Sequence, residues 1–86
     1  MIQQTLLALS DPTRREILKM LKQRERSVGE ITERFDISLP AISRHLAVLR
    51  DAELVKACRE GKYVRYSINC DSIEMLREWL RDFLTD

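Results

Sequence analysis

Glycine and proline occur only twice each in the chain, and there are two cysteines, one tryptophan and one histidine. So little Gly and Pro leaves little room for a disordered linker, and no internal repeat or low-complexity segment appears. A lone histidine, two separated cysteines, no glycine-rich phosphate loop and no carboxylate pair matched to a base leave no catalytic constellation, which excludes an enzyme. No run of 18 apolar residues exists, and Met1-Ile2-Gln3-Gln4 lacks the basic start of a signal peptide. The expectation is a cytoplasmic chain with no membrane partner. Its 86 residues, 44% hydrophobic and 34% charged, suit one small domain spanning 1–86, built mainly of helix.

The net charge of +1 hides an uneven distribution. Residues 1–37 carry 7 basic and 6 acidic side chains, residues 38–69 carry 6 and 3, and residues 71–86 carry 2 and 5. The middle is therefore basic and the tail acidic, and a local excess of this kind can supply a phosphate-binding surface on a nearly neutral protein.

Apolar positions give the elements. Ile2, Leu6 and Leu9 recur at helical spacing, and the segment closes at Ser10-Asp11-Pro12, where Asp11 caps a second helix and Pro12 takes its first position. From Pro12 to about Lys22, Ile17, Leu18 and Leu21 share one face and Arg15, Lys19 and Lys22 another. Ser27-Val28-Gly29-Glu30 reads as a capping box before an apolar stripe of Val28, Ile31 and Phe35 in a helix of barely two turns. After a short break at Asp36-Ile37, Ser38 caps a fourth helix that runs to about Ala52, with Pro40 in its first turn. With Ile42, Leu46 and Leu49 buried, a rotation of about 100° per residue sends Pro40, Ser43, Arg44, Ala47 and Asp51 to solvent.

Beyond Leu54 the period becomes two. Val55 and Ala57, then Val64, Tyr66 and Ile68, predict a β-hairpin around Glu60-Gly61. With those two residues as its turn, Cys58 pairs with Tyr63 and Lys56 with Arg65, and these four share the face away from the core. The last helix, capped by Asp71 or Ser72, repeats Ile73, Leu76, Leu80 and Phe83, with Met75, Trp79 and Leu84 widening the stripe. So apolar a terminal helix either completes the core or packs against a second copy of the chain, and the second reading is taken.

A two-turn helix, a tight break, a second helix with an uncluttered polar N-terminal face and then a basic hairpin form the layout of a winged helix-turn-helix, in the order α-α-α-α-β-β-α. The major groove of double-stranded DNA admits one helix, whose first turns meet base edges, while a β-ribbon reaches the flank. Ser43 and Arg44 are placed to read bases, Arg through a bidentate fork to guanine, and Leu39 to meet a thymine methyl. Arg59, Lys62 and Arg65 on the wing are placed to meet phosphates or the minor groove.

Ser10-Asp11-Pro12-Thr13-Arg14-Arg15, Ser38-Leu39-Pro40-Ala41-Ile42-Ser43-Arg44-His45-Leu46, and Arg59-Glu60-Gly61-Lys62 with Tyr66-Ser67 together resemble the ArsR/SmtB family of bacterial winged-helix repressors. The resemblance spans nearly the whole chain. It implies a homodimer that binds an inverted-repeat operator, with Leu39, Pro40, Ser43 and Arg44 as recognition-helix contacts. It also implies joining through the first and last helices, hence an interface of Ile2, Leu6, Ile73, Leu76, Trp79, Leu80 and Phe83.

Metal-sensing members carry a Cys-x-Cys motif on the third helix or Asp and His on the last. Here Glu30–Phe35 has no thiol and the tail has no His, so no metal and no cofactor are expected and the chain resembles the short, metal-free members. The releasing signal, an effector or a sequestering protein, is not written in the sequence.

Three remaining features have plainer readings. Cys58 and Cys70 read as two ordinary thiols, with a thiol-based redox-responsive repressor as the alternative. His45 is a boundary residue held by a structural hydrogen bond, and Arg14 and Arg15 are solvated charges on a helix face. The competitor from another class is a winged-helix module for protein association.

Overall fold

Three of the helices start where a side-chain oxygen meets a free backbone donor. A computed structural model describes residues 2–84; the expected domain over 1–86 and the Met1 start of the leader reading include Met1, Thr85 and Asp86, which lie outside the described residues. Helix α1 (Ile2–Leu9) is followed by α2 (Pro12–Gln23), whose N-cap Asp11 accepts from the Arg14 N–H at 3.1 Å. Helix α3 (Val28–Glu33) opens with the full capping box: the Glu30 N–H donates to Ser27 Oγ at 3.2 Å and the Ser27 N–H to Glu30 Oε1 at 2.9 Å. Ser38 caps α4 (Leu39–Asp51) by accepting from the Ala41 N–H at 3.3 Å, with Pro40 in the first turn.

Helix α5 (Cys70–Arg81) starts earlier than expected. Its N-cap is Asn69, not Asp71 or Ser72, and the Asn69 side chain makes no capping bond; its Nδ2 donates to the Glu53 carbonyl at 2.8 Å and to Ser72 Oγ at 3.0 Å. Asn69 thus ties the start of α5 to the end of α4. That end is itself a Schellman closure: Glu53 takes a left-handed backbone (φ 60°), its N–H donates to the Arg50 carbonyl at 2.8 Å and the Leu54 N–H to Leu49 at 2.9 Å. Glycine usually serves there, so its absence hid the motif in the sequence.

The buried side chains form one cluster, with Ile17, Ile31, Ile42, Leu46, Leu49 and Leu54 fully enclosed. Each removes a large aliphatic group from water, a gain of about 1.5–3 kcal/mol per side chain. Helix α1 departs from its expected stripe: Ala8 is its buried residue, Ile2 and Leu9 are half-buried, and Leu6 is 41% exposed. No helix among the described residues is long and apolar enough to cross a membrane.

The sheet has three strands, in the order β1-β3-β2, all antiparallel: β1 (Arg26–Ser27), β2 (Val55–Glu60) and β3 (Tyr63–Ile68). Strand β1 is additional to the expected hairpin and, at two residues, too short to show any alternation. The register also differs by two residues. Cys58 opposes Arg65, Lys56 opposes Ser67 and Glu60 opposes Tyr63, so the turn is Gly61-Lys62. Gly61 has φ +62° and is the only positive-φ residue of the turn, the type II′ arrangement whose twist suits a hairpin. A slip of two leaves Lys56, Cys58, Tyr63 and Arg65 on one face, so the face assignment stands although the pairing does not. Ala57 is exposed, against expectation, because only Val55 of β2 is buried and the rest of that strand stands clear of the core.

Candidate nucleic-acid interface

Helix α4 buries Ile42, Leu46 and Leu49 and turns the intervening residues outward. Leu39 is 51% exposed, and Pro40, Ser43 and Arg44 are exposed with it, all within the first turn and a half. An apolar stripe on one side of a capped helix therefore determines which four side chains face solvent on the other. Arg44 forms no ion pair among the described residues, so its guanidinium is free to fork onto a planar acceptor pair.

The wing divides the three cations expected on it. Arg59 is exposed and unpaired among the described residues, and Lys62 sits in the turn itself with its ammonium 5.8 Å from the Tyr63 ring centre. Arg65 is engaged: its Nε meets Glu60 Oε1 at 3.0 Å and its Nη1 meets Glu30 Oε1 at 3.6 Å. The bond to Glu60 raises its pKa further, with the charges of Glu60 and Glu30 acting the same way. Arg65 thus fastens the wing to α3, and the free wing charge belongs to Arg59 and Lys62.

Two carboxylates secure the helix starts that frame this surface. The Ser27 N–H and then Arg24 hold Glu30 below the ordinary 4.5, and the Arg14 N–H chiefly holds Asp11 below 3.8, helped by the charge of Arg14 and the Thr13 N–H. Both carboxylates bind protons less readily folded than unfolded. Their contribution is therefore complete above the unfolded values and is lost as pH falls through the folded ones. Urea midpoints are expected to hold from neutral pH to about 5 and to drop below about 4, with a smaller drop in Glu30→Gln, which keeps the cap but not the charge.

His45 and the Arg14-Arg15 pair are tied into the frame. Arg14 donates to the Ala8 carbonyl at 2.7 Å and to Leu7 at 3.2 Å, Arg15 donates to Leu9 at 2.7 Å, and Arg14 Nη1 faces His45 Nδ1 at 3.2 Å. His45 has the structural hydrogen bond expected of it. The two arginines, read as solvated charges, instead serve the open carbonyl end of α1, a role that spacing alone could not reveal.

Of the residues expected at a subunit interface, Leu80 and Phe83 are 46% and 72% exposed, and Ile2, Ile73, Leu76 and Trp79 are half-buried. Helix α5 has no buried residue at all. Met75 and Leu84, at 68% and 83% exposure, extend its apolar face, and a cleft of about 250 Å³ runs between α5 and α1 against Ile2, Thr5, Met75, Leu76 and Trp79. Cys58 and Cys70 are both exposed and free. With Cys58 opposite Arg65, Cys70 lies five residues past its partner, roughly 16 Å of extended chain against a disulfide limit near 7 Å.

Comparison with known proteins agrees with this architecture. Residues 11–57 match the model of the bacterial regulatory proteins of the arsR family. The chain is 42% identical to the transcriptional repressor SdpR of Bacillus subtilis, over 90% of this chain and 86% of that protein. It is 44% identical to the probable mercury resistance operon repressor of Streptomyces lividans over 71% of this chain, spanning about half (49%) of that longer protein. The solved structure of an ArsR-like transcriptional regulator from Rhodococcus sp. RHA1 superposes with a TM-score of 0.85 at 30% identity, covering 94% of this chain and 76% of the other. A capped α4 with an exposed N-terminal face followed by a braced three-stranded sheet, with these likenesses across most of its length, places the chain in the arsR family of bacterial regulatory proteins.

Proposed function

We propose that the protein is a metal-independent transcriptional repressor that binds an inverted-repeat operator as a homodimer in the cytoplasm. The observation that carries this reading is the first turn and a half of α4, where Leu39, Pro40, Ser43 and an unpaired Arg44 face solvent on a helix anchored by its other side. Arg44 and Ser43 read base edges, Leu39 packs on a thymine methyl, and Arg59 and Lys62 bind flanking phosphates. Arg65 acts indirectly by bracing the wing. A second protomer, joined through the exposed faces of α1 and α5, places its α4 in the next major groove, about 34 Å away, and the bound dimer blocks polymerase.

Independence from metal is supported by ligand chemistry: the α3 stretch offers no thiol and α5 no imidazole. What removes the protein from DNA, an effector or a sequestering partner, is a separate question. The exposed apolar face of α5 also suits a module for protein association, and the two thiols a redox response; the same experiment separates these readings.

The test is a fluorescence-anisotropy titration onto DNA from upstream of the protein's own gene and onto a scrambled duplex, at two salt concentrations, with reductant and without metal. Salt-sensitive preference for the upstream DNA is expected, and oxidant should leave it unchanged. Lys62→Ala is expected to weaken both duplexes alike and to flatten the dependence of log K on log salt by about one ion. No binding even at low salt favours the association module, and loss of binding on oxidation favours the thiol response.

A further inference from the structure

Arg14 stands where three helices meet. It lies in the first turn of α2, and two of its nitrogens donate to the Ala8 and Leu7 carbonyls in the last turn of α1, at 2.7 and 3.2 Å. Its third, Nη1, lies 3.2 Å from Nδ1 of His45 on α4. A guanidinium is planar and its N–H directions are fixed, so the two bonds to α1 determine the angle at which Nη1 meets His45. A guanidinium also cannot accept, so Nδ1 is the acceptor and carries no proton in this arrangement. Asp11, 3.9 Å from the same nitrogen, is the other charged group facing the ring. Both Arg14 and His45 are half-buried, unlike the exposed Arg44 next to His45 in sequence.

We infer that Arg14 and His45 form the joint that sets the angle between α1, the helix offered to a second protomer, and α4, the helix offered to DNA. The inference rests on the dimeric-repressor reading and adds a positioning role to it. Two recognition helices must enter grooves about 34 Å apart, so a tilt at this joint displaces both reading heads relative to each other without altering either one's contacts. Loss of the joint should therefore harm binding to two half-sites at the correct spacing and spare binding to one.

The probes are a palindromic duplex selected by the wild-type protein from random DNA, a duplex holding one of its half-sites, and palindromes with the half-sites moved by single base pairs. Arg14→Lys keeps the charge but not the fork; His45→Leu removes the acceptor; His45→Asn keeps an amide oxygen near the place of Nδ1. Arg14→Lys and His45→Leu are expected to lower affinity for the palindrome about tenfold. Binding to the half-site should stay within about twofold, and the preferred spacing should broaden.

The double variant should be no worse than Arg14→Lys alone, since that substitution already breaks the contact with His45. His45→Asn should restore the wild-type spacing preference. If His45→Leu fails to fold, comparing His45→Asn with His45→Gln, whose oxygen falls nearer Nε2, still decides the matter. Equal losses on half-site and palindrome, or an unchanged spacing preference in Arg14→Lys, overturn the joint. A wild-type protein that selects no palindrome overturns the dimeric-repressor reading and the joint with it, before any variant is made.

Discussion

Arg44→Ala is expected to lower affinity for the operator by about 1–3 kcal/mol, roughly 5- to 150-fold, and to relax base choice at one position in each half-site. Arg44 is exposed, pairs with no carboxylate among the described residues and lies in a helix that alanine favours, so the substitution removes the proposed DNA contact and little else. Arg44→Glu should go further and abolish detectable selection, because it sets a carboxylate against the DNA acceptors that the guanidinium would meet. Anisotropy titrations on operator and scrambled duplexes, with the dimer verified by sedimentation, separate the outcomes. Equal losses on both duplexes for Arg44→Ala would reduce Arg44 to a phosphate contact.

Leu80→Glu with Phe83→Glu is expected to halve the sedimenting mass and to reduce operator affinity by about two to four orders of magnitude, the loss that accompanies a change from two linked contacts to one. The two side chains are 46% and 72% exposed, so charge can be added there without entering the core. Trp79 provides an internal reporter. It is the only tryptophan, half-buried, and its ring meets Phe83 edge-on at 5.1 Å between centres. Its emission should shift to longer wavelength as wild-type dimers are diluted and should be shifted at all concentrations in the double variant. A variant that remains dimeric and binds operator normally would free the α5 face for a different protein partner.

The parts legible in the sequence are those governed by local rules. Asp11, Ser27 and Ser38 announced their helices because an N-cap is an oxygen placed beside free N–H groups, and the stripe of Ile42, Leu46 and Leu49 directed Arg44 outward by rotation alone. What escaped depended on partners distant in the chain, or on backbone forms that no residue type advertises. Strand β1 exists only because β3 lies beside it, and Glu53 closes α4 in a conformation usually left to glycine. The hairpin register needed the turn geometry of Gly61, and the pattern of alternation cannot distinguish a slip of two. At the site, Arg65 looked like a free wing cation until Glu30, far away in sequence, was found beside it, and Arg14 looked solvated until α1 folded back over it.

That brace has a consequence for the DNA. Strand β1 pairs with the middle of β3, at Arg65 and Tyr66, and Glu30, which belongs to the cap of α3, holds the Arg65 side chain at the same level. Reading head and wing therefore behave as one ruler with two marks. If Arg59 and Lys62 grip phosphates as proposed, a base pair inserted between their stretch and the one proposed for α4 is expected to move the second mark off its phosphate. On those contacts, operators are expected to drift in sequence under the wing but to keep their length within each half-site.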